Sequence, residues 1–431
     1  MVSVGMHLPA VEQPVPSGAE GAARPLRVVI GLEGLALGGC PINALDLGRA
    51  LRERGHRVDV SAIDERVQVS LLPYAEQSGF QVELLPAEAG GVARARQVRA
   101  VVERHDADVV HVFAPWLAQA ATIAMGSRRR GIAIVTNWMM ANVDYVPDRT
   151  PMIVGTRSMQ QDAEAWHGTR VHLMEPPVDV RGELAGAEGA RAFRLEHGVA
   201  DTDVAAVIVG RVDSHMKAEG LRHAIAAVGA LDVPDLKLII VGDGNAFEEI
   251  HREAELVNAE LGRRAVILTG VMYDPRPAYA AADIALGMGG SALRSLTHGK
   301  PLIVLGENGF AREFEPDTLE YFLTDGYYGD EVVDRPVEHL CHLIGRLLDA
   351  DRRKRLGAFG CDFVQARFAL DRTAGALEAI YRRELDENRG RVRRRADATR
   401  VLGRALAHQS VQRIRRFRAA RPRRSSPAPE R

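Results

Sequence analysis

Along most of this chain, short apolar runs rich in valine, isoleucine and leucine alternate with longer stretches whose apolar residues recur at helical spacing. Leu26–Leu32 (LRVVIGL) reads as a buried strand, because β-branched residues in a continuous apolar run suit a sheet covered on both faces. A loop, Glu33–Pro41, follows with Gly34, Gly38 and Gly39. Next comes an amphipathic helix through Ile42, Leu45, Leu47 and Leu51, closed by Gly55. Arg57–Ile63 is the second strand. A strand, glycine loop, helix and strand in that order is the unit of a parallel doubly wound sheet.

The pattern continues through strands at Gln81–Leu85, Asp108–Phe113, Ile132–Asn137 and Met152–Gly155, with helices at Ala93–His105 and Trp116–Arg128. It lapses into a linker around Val178–Gly186 and then restarts. Val204–Val209, Leu236–Val241, Ala265–Leu268, Ile284–Leu286 and Leu302–Leu305 read as strands. Leu221–Leu231, Phe247–Leu261, Arg276–Ala281 and Ala292–His298 read as helices. Later helical stretches lie near Glu315–Tyr321, at Val337–Ala350 and Asp351–Phe368, and from Asp371 to about Asn388. The fold class expected is therefore α/β, with two Rossmann-like doubly wound domains facing across a cleft. The expected boundaries are 1–25 for a disordered leader and 26–185 for the first domain, which also takes back the helix 371–388. The second domain spans 195–370 and a tail 389–431.

The stretch Ile284–Val304 (IALGMGGSALRSLTHGKPLIV) concentrates the most chemistry. Gly287, Gly289 and Gly290 form a loop that side chains do not obstruct. Ser291 is the expected N-cap, its hydroxyl accepting a backbone N–H of the first turn. Gly299 stops the helix and Pro301 opens the next strand. A glycine loop feeding a helix start presents free N–H groups and a positive dipole end, which suits a phosphate.

Composition narrows the class. The chain has 431 residues, 46% hydrophobic and 26% charged, which fits two globular domains. No apolar run is long enough for a membrane helix, and the N-terminal residues lack the pattern of a signal peptide. Cys40, Cys341 and Cys361 are scattered without metal-ligand spacing, which fits a reducing cytoplasm. The total charge of −1 hides an asymmetry. Arg389–Arg424 holds 14 arginines against the single acid Asp397, a net +13, so the rest of the chain carries −14. Such a tail is either a solvated extension or a contact for anionic lipid or a partner. Nucleic acid is not expected, because aromatic residues hardly interleave and the body is acidic.

Several residues at strand ends could carry chemistry. Arg211 and Lys217 follow a strand and could clamp a diphosphate, the arginine as a fork and the lysine as a point charge. Gly242, in Gly242-Asp243-Gly244, makes a tight turn after the next strand. Gly38 and Gly39 could admit a ligand to the backbone or simply make a turn. His111 ends a strand and is a candidate polar contact. Asn137 and Trp138 end another strand, where the aromatic could stack on a sugar or base. No clustered metal ligands, Walker loop or nucleophile elbow appears, so neither metal nor cofactor is expected.

Taken in order, Gly38-Gly39 with the helix ALDLGRALRERGH, then DVVHVF, VIVGRVDSHMK, IIVGDG, TGVMYDP, AYAAAD and HGKPLIV resemble glycosyltransferase family 4, the retaining enzymes of GT-B fold. The resemblance runs from about Leu26 to Asn388. It implies metal-independent transfer of a hexose-type sugar from a nucleotide diphosphate sugar to an acceptor hydroxyl with retained configuration. Arg211 and Lys217 would then neutralise the diphosphate, with His111 as the third catalytic candidate. Gly270, Val271 and Met272 would lie along the base. Gly289, Gly290 and Ser291 would offer N–H groups, and Gly38, Gly39, Gly242 and Arg294 would complete the donor site. Asn137 and Trp138 would face the acceptor, and the last helix would cross back to the first domain. In such chemistry the leaving phosphate helps activate the acceptor hydroxyl, and fixed cations and N–H groups stabilise the charge that develops on it.

The chain also departs from the family. A pair of glutamates, one contacting the sugar and one the ribose, normally flanks and enters the helix after the glycine loop. The matching positions are Leu286 and Arg294, and Arg294 cannot accept a hydrogen bond. The interval from Arg211 to Lys217 is longer than usual, and Trp138 stands where a strand-end histidine is expected. Two alternatives follow: a GT-B protein that binds a nucleotide sugar or partner without turnover, and a nucleotide-sugar epimerase. High alanine and arginine content points to a high-GC bacterium. Acceptors there would be cell-surface glycans, glycolipids or secondary metabolites, met in the cytoplasm with peripheral membrane contact through the tail.

Overall fold

The computed structural model describes residues 24–65, 67, 69–126, 128, 130–139, 141–143, 146–167, 170–185, 187–214, 216–387, 395–396, 398–403 and 406. The expected leader, apart from Arg24 and Pro25, and most of the expected basic tail lie outside these residues.

The chain divides into two compact units, each built on one sheet. The N-terminal unit holds β1 (Arg27–Leu32), β2 (Arg57–Asp64), β3 (Val82–Pro86), β4 (Val109–Val112), β5 (Ile132–Asn137), β6 (Met152–Val154) and β7 (Val171–Leu173). They lie in the order β3-β2-β1-β4-β5-β6-β7, and the pairs from β3 through β6 are parallel. The second unit holds β8 (Val204–Val209), β9 (Leu236–Val241), β10 (Val266–Gly270), β11 (Ile284–Gly287), β12 (Leu302–Leu305) and β13 (Ala311–Glu313). Their order is β10-β9-β8-β11-β12-β13, parallel except that β13 runs antiparallel to β12.

Burial on both faces explains why these strands read as unbroken apolar runs. In the second sheet Ala206, Ile208, Leu238, Ile240, Leu286 and Ile303 meet one helical layer. Ala205, Val207, Ile239 and Val241 face the opposite way, as do Ala285, Leu302 and Val304. At roughly 25 cal/mol per Å² of apolar area removed from water, this two-sided burial is the main stabilising term.

Some elements differ from the sequence reading. Strands β7 and β13 have three residues each, too short to show a period. The expected linker around Val178–Gly186 carries a short helix, Val180–Ala185. The final helix spans Leu370–Glu387, beginning in the second unit and ending in the N-terminal one. No helix of the described residues is long and apolar enough to cross a membrane.

Candidate active site

In the second sheet the strand order reverses between β8 and β11: β9 and β10 lie beyond β8, and β12 and β13 beyond β11. Connections diverge at such a switch point, leaving room for a ligand outside the carboxyl ends of the strands. The chain after β8 carries Arg211 and Lys217, and the chain after β11 carries Gly289, Gly290 and Ser291. Five of the expected donor residues therefore come from adjacent strand ends of one sheet.

Lys217 is half-buried and immediately precedes the helix Ala218–Leu231. A β-carbon on Gly210 would lie 3.1 Å from its Nζ, so the ammonium group rests against the end of β8. Burial lowers its pKa, the nearby Arg211 charge lowers it further, and Asp213 opposes both. No ion pair to Lys217 forms among the described residues. A desolvated ammonium beside an exposed guanidinium favours an incoming anion.

Gly289 adopts φ 56° and ψ −129°, a backbone region open essentially to glycine. Its N–H donates to the Tyr327 carbonyl at 2.7 Å, which fixes the turn. The helix Gly290–Thr297 begins immediately afterwards. The N–H groups of Gly290, Ser291 and Ala292 precede its first internal hydrogen bond, from Leu293 to the Gly289 carbonyl. No atom lies within 4 Å of where a β-carbon on Gly289 or Gly290 would stand, so this backbone is open to an anion. One expectation is corrected here. Gly289, not Ser291, is the cap, and the Ser291 hydroxyl donates to the Met288 carbonyl at 3.0 Å rather than accepting an N–H. The helix begins two residues earlier than its apolar pattern suggested, because glycines carry no periodicity.

Gly242 and Gly270 continue the same edge. Gly242 has φ 147°, and its N–H donates to the Gly270 carbonyl at 2.9 Å. A β-carbon on Gly242 would come within 1.8 Å of the Gly210 carbonyl oxygen. Gly210, Gly242 and Gly270 thus form a backbone seam across the ends of β8, β9 and β10. Beyond it Val271 is exposed and Met272 is partly buried against the core.

The N-terminal sheet has its own reversal between β1 and β4. Gly38 caps the helix Gly39–Glu53 in an extended conformation, and Gly39 has open space where a side chain would project. Nearby Trp116 is 38% exposed, and its indole N–H donates to Glu33 at 2.9 Å. Sequence reasoning singled out neither of these two residues.

His111 does not sit at the open edge. Its ring is fully buried, with Nδ1 at 2.7 Å from the Tyr381 hydroxyl and Nε2 at 2.6 Å from Thr136 Oγ1. Burial lowers its pKa to about 3, so it is neutral at ordinary pH. Asn137 is also fully buried, its Nδ2 donating to the Ala141 carbonyl at 3.1 Å and its Oδ1 accepting the Met139 N–H at 3.2 Å. Trp138 is half-buried, its ring centre 5.5 Å from that of Phe113. Among the described residues no group of three or more His, Cys, Asp or Glu is arranged to hold a metal ion.

Two sequence families match the chain: the glycosyl transferase 4-like domain over residues 38–209 and the glycosyl transferases group 1 over residues 204–335. The chain belongs to the family 4-like glycosyltransferases. No curated protein sequence is significantly similar to this glycosyltransferase. Solved structures share its fold. A glycosyltransferase from Rickettsia africae aligns with a TM-score of 0.65 at 14% identity, over 84% of this chain and 99% of the other. HepE from Anabaena, solved in complex with UDP, aligns at 0.63 and 14%, over 82% and 99%. The catalytic domain of starch synthase IV from Arabidopsis thaliana, bound to ADP and acarbose, aligns at 0.59 and 13%, over 84% and 100%. The glycosyltransferase therefore has the GT-B fold, with two Rossmann-like units.

The glycosyltransferase departs from the family pattern at Arg294, and the structure shows what this residue touches. Its guanidinium pairs with Glu183, on the helix Val180–Ala185, which keeps only 3% of its side chain exposed. The second Glu183 oxygen lies 3.5 Å from His298 Nε2. His298 is held down to about 4 by burial, then by the charges of Lys300, Arg294 and Arg276. Its ring stacks on Tyr279, with centres 5.7 Å apart. Glu183 was not legible as a site residue, because a lone acid in a linker carries no periodic signal.

Proposed function

We propose that this glycosyltransferase binds a nucleotide diphosphate sugar at the β8/β11 switch point of its second unit and transfers a hexose-type sugar to an acceptor hydroxyl with retained configuration. The observation that carries this reading is the placement of Arg211, the half-buried Lys217 ammonium and the open Gly289–Gly290 backbone at neighbouring strand ends. In this reading Arg211 and Lys217 neutralise the diphosphate and the helix N–H groups hold its oxygens. Gly270, Val271 and Met272 run along the base.

The bond between the sugar and the leaving phosphate breaks, a bond from the acceptor oxygen forms on the same face, and the acceptor proton passes to the leaving phosphate. Preorganised donors matter most here, and removing one commonly costs about 3 kcal/mol in the barrier. The two hydrogen bonds of His111 support a structural part for it, within the N-terminal sheet, rather than contact with the reacting atoms. Gly38 and Gly39 stay with the donor in this proposal, and Trp138 with the acceptor. The acceptor would be a cell-surface glycan, a glycolipid or a secondary metabolite.

The Arg294–Glu183 pair gives weight to a second reading, binding without turnover, since no acid stands at Leu286 or Arg294. One experiment separates the two. The protein is incubated with UDP-, GDP- and TDP-linked sugars, beginning with UDP because HepE binds it, and release of the nucleoside diphosphate is followed. Release that disappears in Lys217→Ala supports transfer. Binding with no release supports the second reading. Full affinity and release in Lys217→Ala would remove the diphosphate clamp.

A further inference from the structure

The carboxylates that the family resemblance places on and before the helix Gly290–Thr297 are absent, yet a carboxylate stands at the next strand end. Glu307 lies in the tight turn between β12 and β13, closed by hydrogen bonds from Gly306 N–H to the Phe310 carbonyl and from Phe310 N–H to the Glu307 carbonyl, both 3.0 Å. Asn308, at φ 54°, and Gly309, at φ 78°, make the reversal. Register ties this turn to the glycine loop. Gly287 pairs with Val304, so both chains leave the sheet side by side, about 5 Å apart.

A second link runs through Tyr327–Gly329. The Tyr327 carbonyl accepts the Gly289 N–H at 2.7 Å, and the Gly329 carbonyl accepts the Glu307 N–H at 2.9 Å. Between them, the Tyr328 hydroxyl donates to Glu307 Oε2. The same three residues therefore fix the glycine loop on one side and the Glu307 carboxylate on the other. A third link comes from the helix behind Lys217, where Glu219 Oε2 accepts the Asn308 N–H at 3.1 Å. Glu307 is half-buried, and its Oε1 has no partner among the described residues.

The order of the sheet sets Glu307 along the path proposed for the donor. If the base lies along the end of β10 and the diphosphate at β8 and β11, the donor runs along the strand ends and its sugar reaches the side of β12. We propose that Glu307 is a specificity-determining residue that accepts hydrogen bonds from hydroxyls of the donor's sugar, and that Tyr328 is its positioning residue. The inference rests on the donor-site reading above. It also sets the class of sugar. A carboxylate accepts from hydroxyls and repels another carboxylate, so a neutral hexose is favoured over a hexuronic acid.

Calorimetric titration of the full chain with UDP, GDP and TDP, and then with UDP-, GDP- and TDP-glucose and UDP-glucuronic acid, tests this. Glu307→Gln is expected to leave nucleoside diphosphate affinity within about twofold and to weaken the glucose conjugate about tenfold, because a charged acceptor becomes neutral. It should also narrow the preference for UDP-glucose over UDP-glucuronic acid. Tyr328→Phe, with its melting temperature measured alongside, should show the same split between conjugate and bare diphosphate to a smaller degree. Unchanged conjugate affinity in Glu307→Gln, or a parallel loss for the bare diphosphate, would overturn the inference alone. Failure of the wild-type protein to bind any nucleoside diphosphate would overturn the donor site itself.

Discussion

Glu183 and Arg294 form a nearly enclosed ion pair, the carboxylate 3% exposed and the guanidinium 20%. The pair joins the helix Val180–Ala185 to the helix that follows the glycine loop. Two charges taken this far from water are held in place chiefly by each other.

Breaking the pair on one side should therefore cost more than removing it. Glu183→Gln is expected to lower unfolding free energy by about 3 kcal/mol, since it strands the guanidinium. The double variant Glu183→Leu with Arg294→Met should lose about 1 kcal/mol or less. Chemical denaturation of the single and double variants measures the difference, and equal losses would refute the account.

The N-terminal unit should be acid-sensitive through His111. An unfolded histidine takes up its proton near pH 6.5, whereas the folded one resists until about 3. The unfolded state thus binds more protons in this window, and the stability held above pH 6.5 is lost as pH falls towards 3. At pH 4.5 the loss assignable to His111 is about 2 to 3 kcal/mol. Denaturation profiles of the wild-type protein and His111→Gln, compared from pH 7 to pH 4.5, should converge by that amount.

Affinity for UDP should fall at alkaline pH, beginning below the ordinary lysine value of 10.5, because burial and Arg211 hold Lys217 lower. Loss of its proton removes one of two cations from the phosphate. Lys217→Arg should abolish this fall, and Lys217→Met should weaken binding on the order of tenfold or more at pH 7. Titrations with UDP between pH 7 and pH 10 distinguish the three proteins.

The glycines should separate into structural and functional positions. Gly242→Ala places a methyl within 1.8 Å of the Gly210 carbonyl oxygen and should prevent normal folding or cost several kcal/mol. Gly290→Ala meets open space in a helical position and should leave the melting temperature unchanged while weakening UDP binding. Thermal melts with and without UDP provide both readouts.

The fold was legible because strands buried on both faces leave long apolar runs, and glycine at strand ends marks the turns between them. The chemistry was less legible, for reasons particular to each residue. Ser291 looked like a cap, but the positive φ of Gly289 moved the helix start, and a serine inside the first turn bonds backward to Met288. His111 looked like an edge residue because it ends an apolar run. Partners from β5 and the last helix, Thr136 and Tyr381, enclose it. Glu183 and Arg294 are meaningful only as a pair, and they stand far apart in sequence. The turn holding Glu307 was not singled out in the sequence, because its link to the glycine loop runs through backbone atoms of Tyr327 and Gly329, which no side-chain pattern records.

The seam of Gly210, Gly242 and Gly270 has a consequence for how such a protein can diverge. Gly242 at its centre leans on the main chain of Gly210, so it cannot acquire a side chain without displacing that neighbour. Substitutions that retune substrate choice are thereby steered to the margins: to Val271 and Met272 at one end of the strand row, and to Glu307 and Tyr328 at the other. Gly242 pins the middle of the row, and new preferences are written at its two ends.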